Sequence, residues 1–161
     1  MQFKRYEPQN LTQMLRLFCD TVHCVNAADY SPEQQEAWAP YSVIDDPETR
    51  ERWNRTLLAH LSLVAWEQNS IAGFADIDLA EGYLDRMYVS KNFQRQGVAT
   101  ALLSQLEQAA KDAGCKKITS DVSITARPFF EKNGFRVIRR QEVVRRDVTL
   151  VNFKMEKELS V

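Results

Sequence analysis

Glycine and proline are scarce, five of each in 161 residues. That excludes collagen-like and low-complexity chains and leaves few places where the backbone turns sharply without cost. No apolar run approaches the about 20 residues needed to span a bilayer. The start, Met1-Gln2-Phe3-Lys4-Arg5-Tyr6, has no signal-peptide core, so a cytoplasmic protein without a membrane partner is expected. Cysteine is limited to Cys19, Cys24 and Cys115, an odd set without CxxC spacing, which argues against a disulfide framework. The two histidines, His23 and His60, are far apart, and the adjacent pair His23-Cys24 points about 100° apart on a helix. No metal is expected. The formal net charge is −1, so there is no global footprint for nucleic acid. The local cluster Arg139, Arg140, Arg145 and Arg146 reads as the solvated face of a strand pair.

The composition is that of a globular chain, with length for one domain, residues 1–161, around a single core. Gln2 to Tyr6 alternates as a short strand does. After Pro8, the residues Leu11, Met14, Leu15, Phe18, Val22 and Val25 make one helical stripe. Ser31 followed by Pro32 starts a second helix, which Pro40 stops, and Asp45 or Asp46 with Pro47 starts a third through about Leu58. Leu61–Glu67 and Ile71–Leu79 read as a hairpin turning at Gln68-Asn69-Ser70, and a further strand ends at Val89. A long helix runs from Gly97 to about Ala113 with Val98, Ala101, Leu102, Leu106 and Ala109 as its buried stripe. Lys117–Val122 is a strand, Ala126–Lys132 a short helix, and Phe135–Val144 with Val148–Met155 a closing antiparallel pair. Tyr83 to Val122 is thus one strand-helix-strand unit whose strands are expected to be parallel.

Between that strand and the long helix lies Ser90-Lys91-Asn92-Phe93-Gln94-Arg95-Gln96-Gly97-Val98-Ala99-Thr100. Gly97 removes a side chain where the backbone approaches something closely, and Ala99 is small beside it. Unpaired N–H groups at a helix start, with the positive end of its dipole, suit a phosphate or pyrophosphate. Gln94 and Arg95 add side-chain donors. The loop matches neither a P-loop nor a dinucleotide fingerprint.

Gln94-Arg95-Gln96-Gly97-Val98-Ala99 resembles the Q/R-x-x-G-x-G/A loop of the GNAT superfamily of N-acetyltransferases. Leu84-Asp85-Arg86-Met87-Tyr88-Val89 resembles that family's preceding strand, and Ala126-Arg127-Pro128-Phe129-Phe130-Glu131-Lys132-Asn133-Gly134-Phe135 its A-x-x-F-Y-x-x-x-G-F segment. The segments Tyr30 to Ala39 and Ser123 to Ala126 are similar to a small bacterial YafP-type branch. The resemblance implies an α/β (α+β) GNAT fold: a mostly antiparallel twisted sheet of about six to seven strands, about four to five flanking helices, and a splayed parallel pair binding the cofactor. It implies an acyltransferase that uses acetyl-CoA and acetylates a primary amine of a small molecule, peptide or protein by direct attack, as a monomer or homodimer. A non-catalytic CoA-binding sensor is the alternative. The cofactor set it implies is Met87, Tyr88 and Val89 along the arm, Gln94, Arg95, Gln96, Gly97, Val98, Ala99 and Thr100 around the pyrophosphate, and Ser123, Arg127 and Phe130 nearby, with Lys132 also toward the adenosine end.

Where the family often has Glu and Tyr, this chain has Tyr83 and Phe130. Phe130 donates no proton. Asp85, two residues after Tyr83 and so on the same strand face, is the candidate base, with Asp76, Asp78 and Asp121 as rivals. Tyr83 is a further catalytic candidate, and Tyr30 and Tyr88 are possible stand-ins for the acid. Tyr30, Trp38, Tyr41 and Trp53 form an aromatic group among the N-terminal helices, of which Tyr30 and Trp38 are the candidate substrate contacts.

Overall fold

The computed structural model describes residues 1–160. The chain order is β1 (Gln2–Arg5), α1 (Leu11–Cys24), α2 (Pro32–Trp38), α3 (Pro47–Ala59), β2 (Leu61–Glu67), β3 (Ser70–Asp78), β4 (Tyr83–Val89), α4 (Val98–Asp112), β5 (Lys117–Ser123), α5 (Arg127–Lys132), β6 (Arg136–Arg145) and β7 (Val148–Glu158). The local chemistry that starts a helix is visible at α2 and α3. The Ser31 hydroxyl accepts from Gln34 N while the Gln34 side chain reaches back to Ser31 N, with Pro32 in the first turn of α2. Asp46 accepts from Thr49 N at the start of α3, again with a proline following.

The strands form a seven-stranded sheet in the order β1-β2-β3-β4-β5-β7-β6. All neighbours are antiparallel except β4 and β5. β3 is buried on both faces. Ala72, Ala75 and Ile77 face α4, meeting Val98, Leu102, Leu103, Leu106 and Ala110. Ile71 and Phe74 face the other way, toward Met14, Leu15 and Phe18 of α1 and Trp53 and Leu57 of α3. This is the mostly antiparallel seven-stranded sheet flanked by helices that the sequence led us to expect. The clearest departure is β7, which continues past Met155 to Glu158 because Lys157 and Glu158 pair with Ile118 and Lys117 of β5; backbone pairing with an interior strand outweighs the charged end of the segment. No helix among the described residues is long and apolar enough to cross a membrane.

Two features of this frame set the site. β4 and β5 are paired at one position only, Tyr83 opposite Thr119, and beyond it the strands part. Below that opening the start of α4 packs tightly on β3: a Cβ added to Gly73 would lie 2.9 Å from Tyr88 O and 3.0 Å from Val98 Cγ1. Gly73→Ala is therefore expected to destabilise the protein by about 1–3 kcal/mol through overpacking. A lowered urea midpoint at unchanged m-value is the readout; an unchanged midpoint would show that the contact relaxes freely.

Candidate active site

The opening between β4 and β5 is a cleft of about 660 Å³. Its walls are β4 from Leu84 to Val89, the loop before α4, and β5 from Ser120 to Ser123, with Thr21 and Asn26 of the α1 region across the mouth. Of the cofactor residues expected from sequence, Met87, Tyr88 and Val89 line it from β4, Gln94, Arg95, Gly97, Val98, Ala99 and Thr100 from the loop, and Ser123 and Phe130 from the far side. Gln96 and Arg127 are not among its lining residues. Gln96 is exposed, its amide 3.5 Å from Asn92 O. The Arg127 guanidinium lies 4.5 Å over the Phe153 ring and pairs with Glu131 at 3.3 Å, so it is held against the end of the sheet.

The loop is shaped by two left-handed residues, Arg95 at φ 58° and Gly97 at φ 82°. Such a backbone is uncommon for a non-glycine residue and costs on the order of 1 kcal/mol or more. Gly97 is the N-cap of α4, no side chain caps that end, and a Cβ there would meet nothing within 4 Å. The first N–H groups of α4 thus face open space beside a bare backbone. Gln94 differs from the expectation. Its Nε2 donates to Val89 O at 2.7 Å and to Ser90 O at 3.3 Å, so the amide clasps the loop to the end of β4. Thr21 Oγ1 donates to the same Val89 carbonyl at 3.0 Å, satisfying a group that has lost its strand partner.

Asp85 is the extra residue of a β-bulge: Arg86 stands opposite Asp76 and Leu84 opposite Ile77. Around it is a charged network that sequence reading had reduced to separate aspartates. Arg86 Nη1 is 2.7 Å from Asp76 Oδ2 and 3.4 Å from Asp85 Oδ2. Its Nη2 donates to Thr56 Oγ1 at 2.7 Å, and the guanidinium stacks 4.6 Å over Trp53. His60 Nδ1 lies 2.7 Å from Asp76 Oδ2 and 3.9 Å from Asp85 Oδ2. Asp76 is fully buried, and burial pushes its carboxyl above the usual carboxylate range although Arg86 and His60 pull it down. Asp85 is about a third exposed and faces the cleft. His60, Asp76 and Asp85 have metal-ligand chemistry and lie within 4.8 Å of one another, but Arg86 already sets a positive charge among them.

The other candidates are differently placed. Tyr83 is turned toward β5, its hydroxyl donating to Asp121 Oδ2 at 2.9 Å, and burial together with the Asp121 carboxylate pushes its pKa up. The second Asp121 oxygen accepts from Gln141 Nε2 at 2.8 Å. Tyr30 is buried; its hydroxyl donates to Val151 O at 2.6 Å and accepts from Ile124 N at 3.0 Å, so it ties the α2 region to β7 and does not line the cleft. Trp38 does line it, edge-on to Tyr30 at 5.2 Å. Tyr88 lines the cleft while its partly buried ring packs against Phe18 and Phe74, and burial pushes its pKa up.

The sheet opens beside a single parallel bridge, with an uncapped helix start at one end of the cleft, and the family that the sequence matches makes the chain an acyltransferase. The acetyltransferase (GNAT) domain family matches residues 26–158, and the chain belongs to that family. It is 34% identical over 155 residues to the N-acetyltransferase YafP of Escherichia coli, covering 96% of this chain and 94% of that one. A GCN5-related N-acetyltransferase crystal structure from Rhodopseudomonas palustris superposes with a TM-score of 0.90 at 32% identity, over 98% of this chain and 95% of that one. The fold is also that of the PaiA N-acetyltransferase from Thermoplasma acidophilum, solved in complex with coenzyme A, at a TM-score of 0.76 and 20% identity over 98% of each chain.

Removing Arg86 would leave Asp76 buried with His60 as its only side-chain hydrogen-bond partner. Arg86→Met is expected to cost about 3–5 kcal/mol, the scale for breaking a buried pair by deleting one partner. Chemical denaturation measures it, and a loss below about 1 kcal/mol would mean that water or His60 neutralises the site instead.

Proposed function

We propose that this protein transfers an acetyl group from acetyl-CoA to a primary amine of a small molecule or peptide, by direct attack, in the cytoplasm. Residues 1–161 act as one domain in this reading. The observation that carries it is the cleft itself, with an anion cradle at one end and a partly exposed carboxylate, Asp85, in its wall. The residues present fit the cofactor. The bare backbone at Gly97 leaves room, and the helix start offers N–H groups that no side chain caps. Val98, Ala99 and Thr100, with Arg95 as a side-chain donor, would hold the pyrophosphate, and the free edge of β4 at Met87 to Val89 would pair with the amide-bearing arm. Ser123 Oγ already accepts from Ala126 N and Asn26 Nδ2, which leaves its proton to donate into the cleft.

Acetyl-CoA, when bound, supplies an acetyl thioester whose thiolate, with a thiol pKa of about 8.5, leaves without a donated proton; Phe130, which has none to give, is then no obstacle. A backbone N–H of β4 between Met87 and Val89 would face the carbonyl oxygen as it gains charge. An aliphatic amine with a pKa of about 10.4 is protonated at neutral pH and must lose that proton before attack. Asp85 is the base in this reading, acting directly or through water. Asp76 is sealed in the core, and both Asp121 oxygens are hydrogen-bonded. Asp78 hydrogen-bonds the turn amides of Ala80 and Glu81. Arg86 fixes the Asp85 carboxylate from one side.

The tying of Tyr83 to Asp121 favours a second reading, a CoA-binding sensor that acetylates nothing. It predicts coenzyme A binding with no turnover on any amine.

Acetyl-CoA is expected to raise the thermal midpoint in proportion to the logarithm of its concentration. Gly97→Glu is expected to remove that rise, because it adds a side chain and a negative charge where the phosphates would lie and strains a left-handed position. No rise in the wild type would end the cofactor reading. Asp85→Asn should lower kcat/KM by about 10²–10⁴. A variant with the wild-type rate removes Asp85 from the chemistry.

A further inference from the structure

Beside the cleft lies a second hollow of about 190 Å³ whose lining includes Tyr83, Asp121, Arg139, Gln141 and Lys154. It forms for a simple geometric reason. Asp121, Lys154 and Arg139 stand directly opposite one another across β5, β7 and β6, and residues in such a row share one face of the sheet. On that face α1 packs on β3 and β4, α3 on β2, and α2 on β7 around Thr149 and Val151, so the row through Lys154, further along β7, keeps a polar surface.

The charge in the hollow is unbalanced. Asp121 is committed on both oxygens, to the Tyr83 hydroxyl at 2.9 Å and to Gln141 Nε2 at 2.8 Å. The other ion pairs of β6 and β7 join Lys117 and Arg136 to Glu156, Arg140 to Glu142, and Lys157 to Glu107 of α4. Among the described residues, Lys154 and Arg139 have no carboxylate within salt-bridge distance; Arg139 Nε reaches only the Gln141 side-chain oxygen, at 3.2 Å. Two cations therefore face one carboxylate that is already neutralised in part by hydrogen bonds.

The position gives this charge a role. Ser120 and Asp121 line both the hollow and the cleft. Tyr83 is two residues from Asp85 along β4, about 7 Å, whereas the phosphate-type loop begins beyond the far end of the strand, about 20 Å away. The hollow is thus on the acceptor side of Asp85.

Resting on the acetyl transfer proposed above, we propose that the hollow is an anion subsite for the acceptor. The substrate is an amine that carries a carboxylate or a phosphate, its nitrogen at Asp85 and its anion between Arg139 and Lys154. Arg139 supplies a planar fork suited to either anion, and Lys154 a point charge beside it. A polycationic amine would meet like charge here, which costs affinity.

The test uses matched acceptors with acetyl-CoA: γ-aminobutyrate against its methyl ester, and phosphoethanolamine against ethanolamine. In at least one pair the anionic member is expected to show a KM about tenfold lower, equivalent to 1.4 kcal/mol. Arg139→Ala combined with Lys154→Ala should close that gap while the midpoint rise given by coenzyme A persists, which also shows that the variant folds. Arg140→Ala, which removes a neighbouring cation outside the hollow, should keep the gap. A gap in one pair alone identifies which anion is read. Neutral amines used as well as anionic ones, or a gap that survives the double variant, overturns the subsite and leaves acetyl transfer standing. Coenzyme A binding without turnover of any of the four amines overturns the subsite, and the same result across a broad panel that includes peptide amines overturns acetyl transfer as well. Loss of the coenzyme A midpoint rise in the double variant would assign the cations to the cofactor and overturn the subsite.

Discussion

β4 and β5 run side by side in parallel, yet they are joined as strands only where Tyr83 faces Thr119. Everything about the site depends on that early parting. A parallel pair that stayed zipped would fill its backbone groups internally and leave no slot. The fold holds the pair at its base, where Thr119 N donates to Gly82 O at 2.9 Å and Ser120 Oγ to Leu84 O at 2.7 Å. Past Leu84 it does not try to close the gap. It satisfies the last β4 carbonyl, at Val89, with Thr21 from α1 and Gln94 from the loop. Both sides of the wedge are meanwhile anchored in one apolar cluster, which contains Leu84 of β4, Val122 of β5 and the whole inner stripe of α4. The opening is therefore a rigid consequence of packing, and its free backbone edge faces a cleft that water or a ligand can enter.

The bulge at Asp85 is the second device. By adding one residue to β4 it puts Asp85 and Arg86 next to each other on the α3 side, which simple alternation forbids. Arg86 can then bridge the buried Asp76 and the cleft-facing Asp85 at once. A buried carboxylate beside an arginine is poor support for stability by itself, so its value here is positional. It fixes the guanidinium over Trp53 and against Thr56, and the guanidinium in turn fixes the carboxylate that the reaction would use.

Much of this was legible in the sequence, for identifiable reasons. The α4 stripe has a clean helical period, Ser31-Pro32 and Asp46-Pro47 are start signals that act within four residues, and Gly97 marks the bare start of α4. Those are local constraints, and local chemistry sufficed. What escaped was set by partners distant in sequence. Gln94 sits in a ligand-type loop, yet its amide is taken by a strand carbonyl. Tyr30 lies in an aromatic segment, but its hydroxyl joins Ile124 and Val151. Arg86 and His60 carried no role in the sequence; the bulge brings Arg86, and the pairing of β2 with β3 brings His60, to Asp76. The cationic hollow needs three strands in register across β5, β7 and β6, and no window of sequence contains that information.

The charge of the whole chain says little about such a site, and this has a physical consequence. With a formal net charge of −1, the protein has no strong field to steer ligands from beyond a Debye length of about 8 Å. Selection must come from short-range groups that lack partners inside the fold. The α4 start offers uncapped N–H groups at one end of β4, and Arg139 and Lys154 offer unpaired cations at the other. Asp85 lies between them. A donor held by its phosphates and an acceptor held by its own anion would then approach from opposite ends of one strand, with their like charges kept about 20 Å apart. Two anionic reactants can share one small cleft only if the positive groups that bind them are separated in this way, and the bulged, half-zipped β4 is the element that separates them.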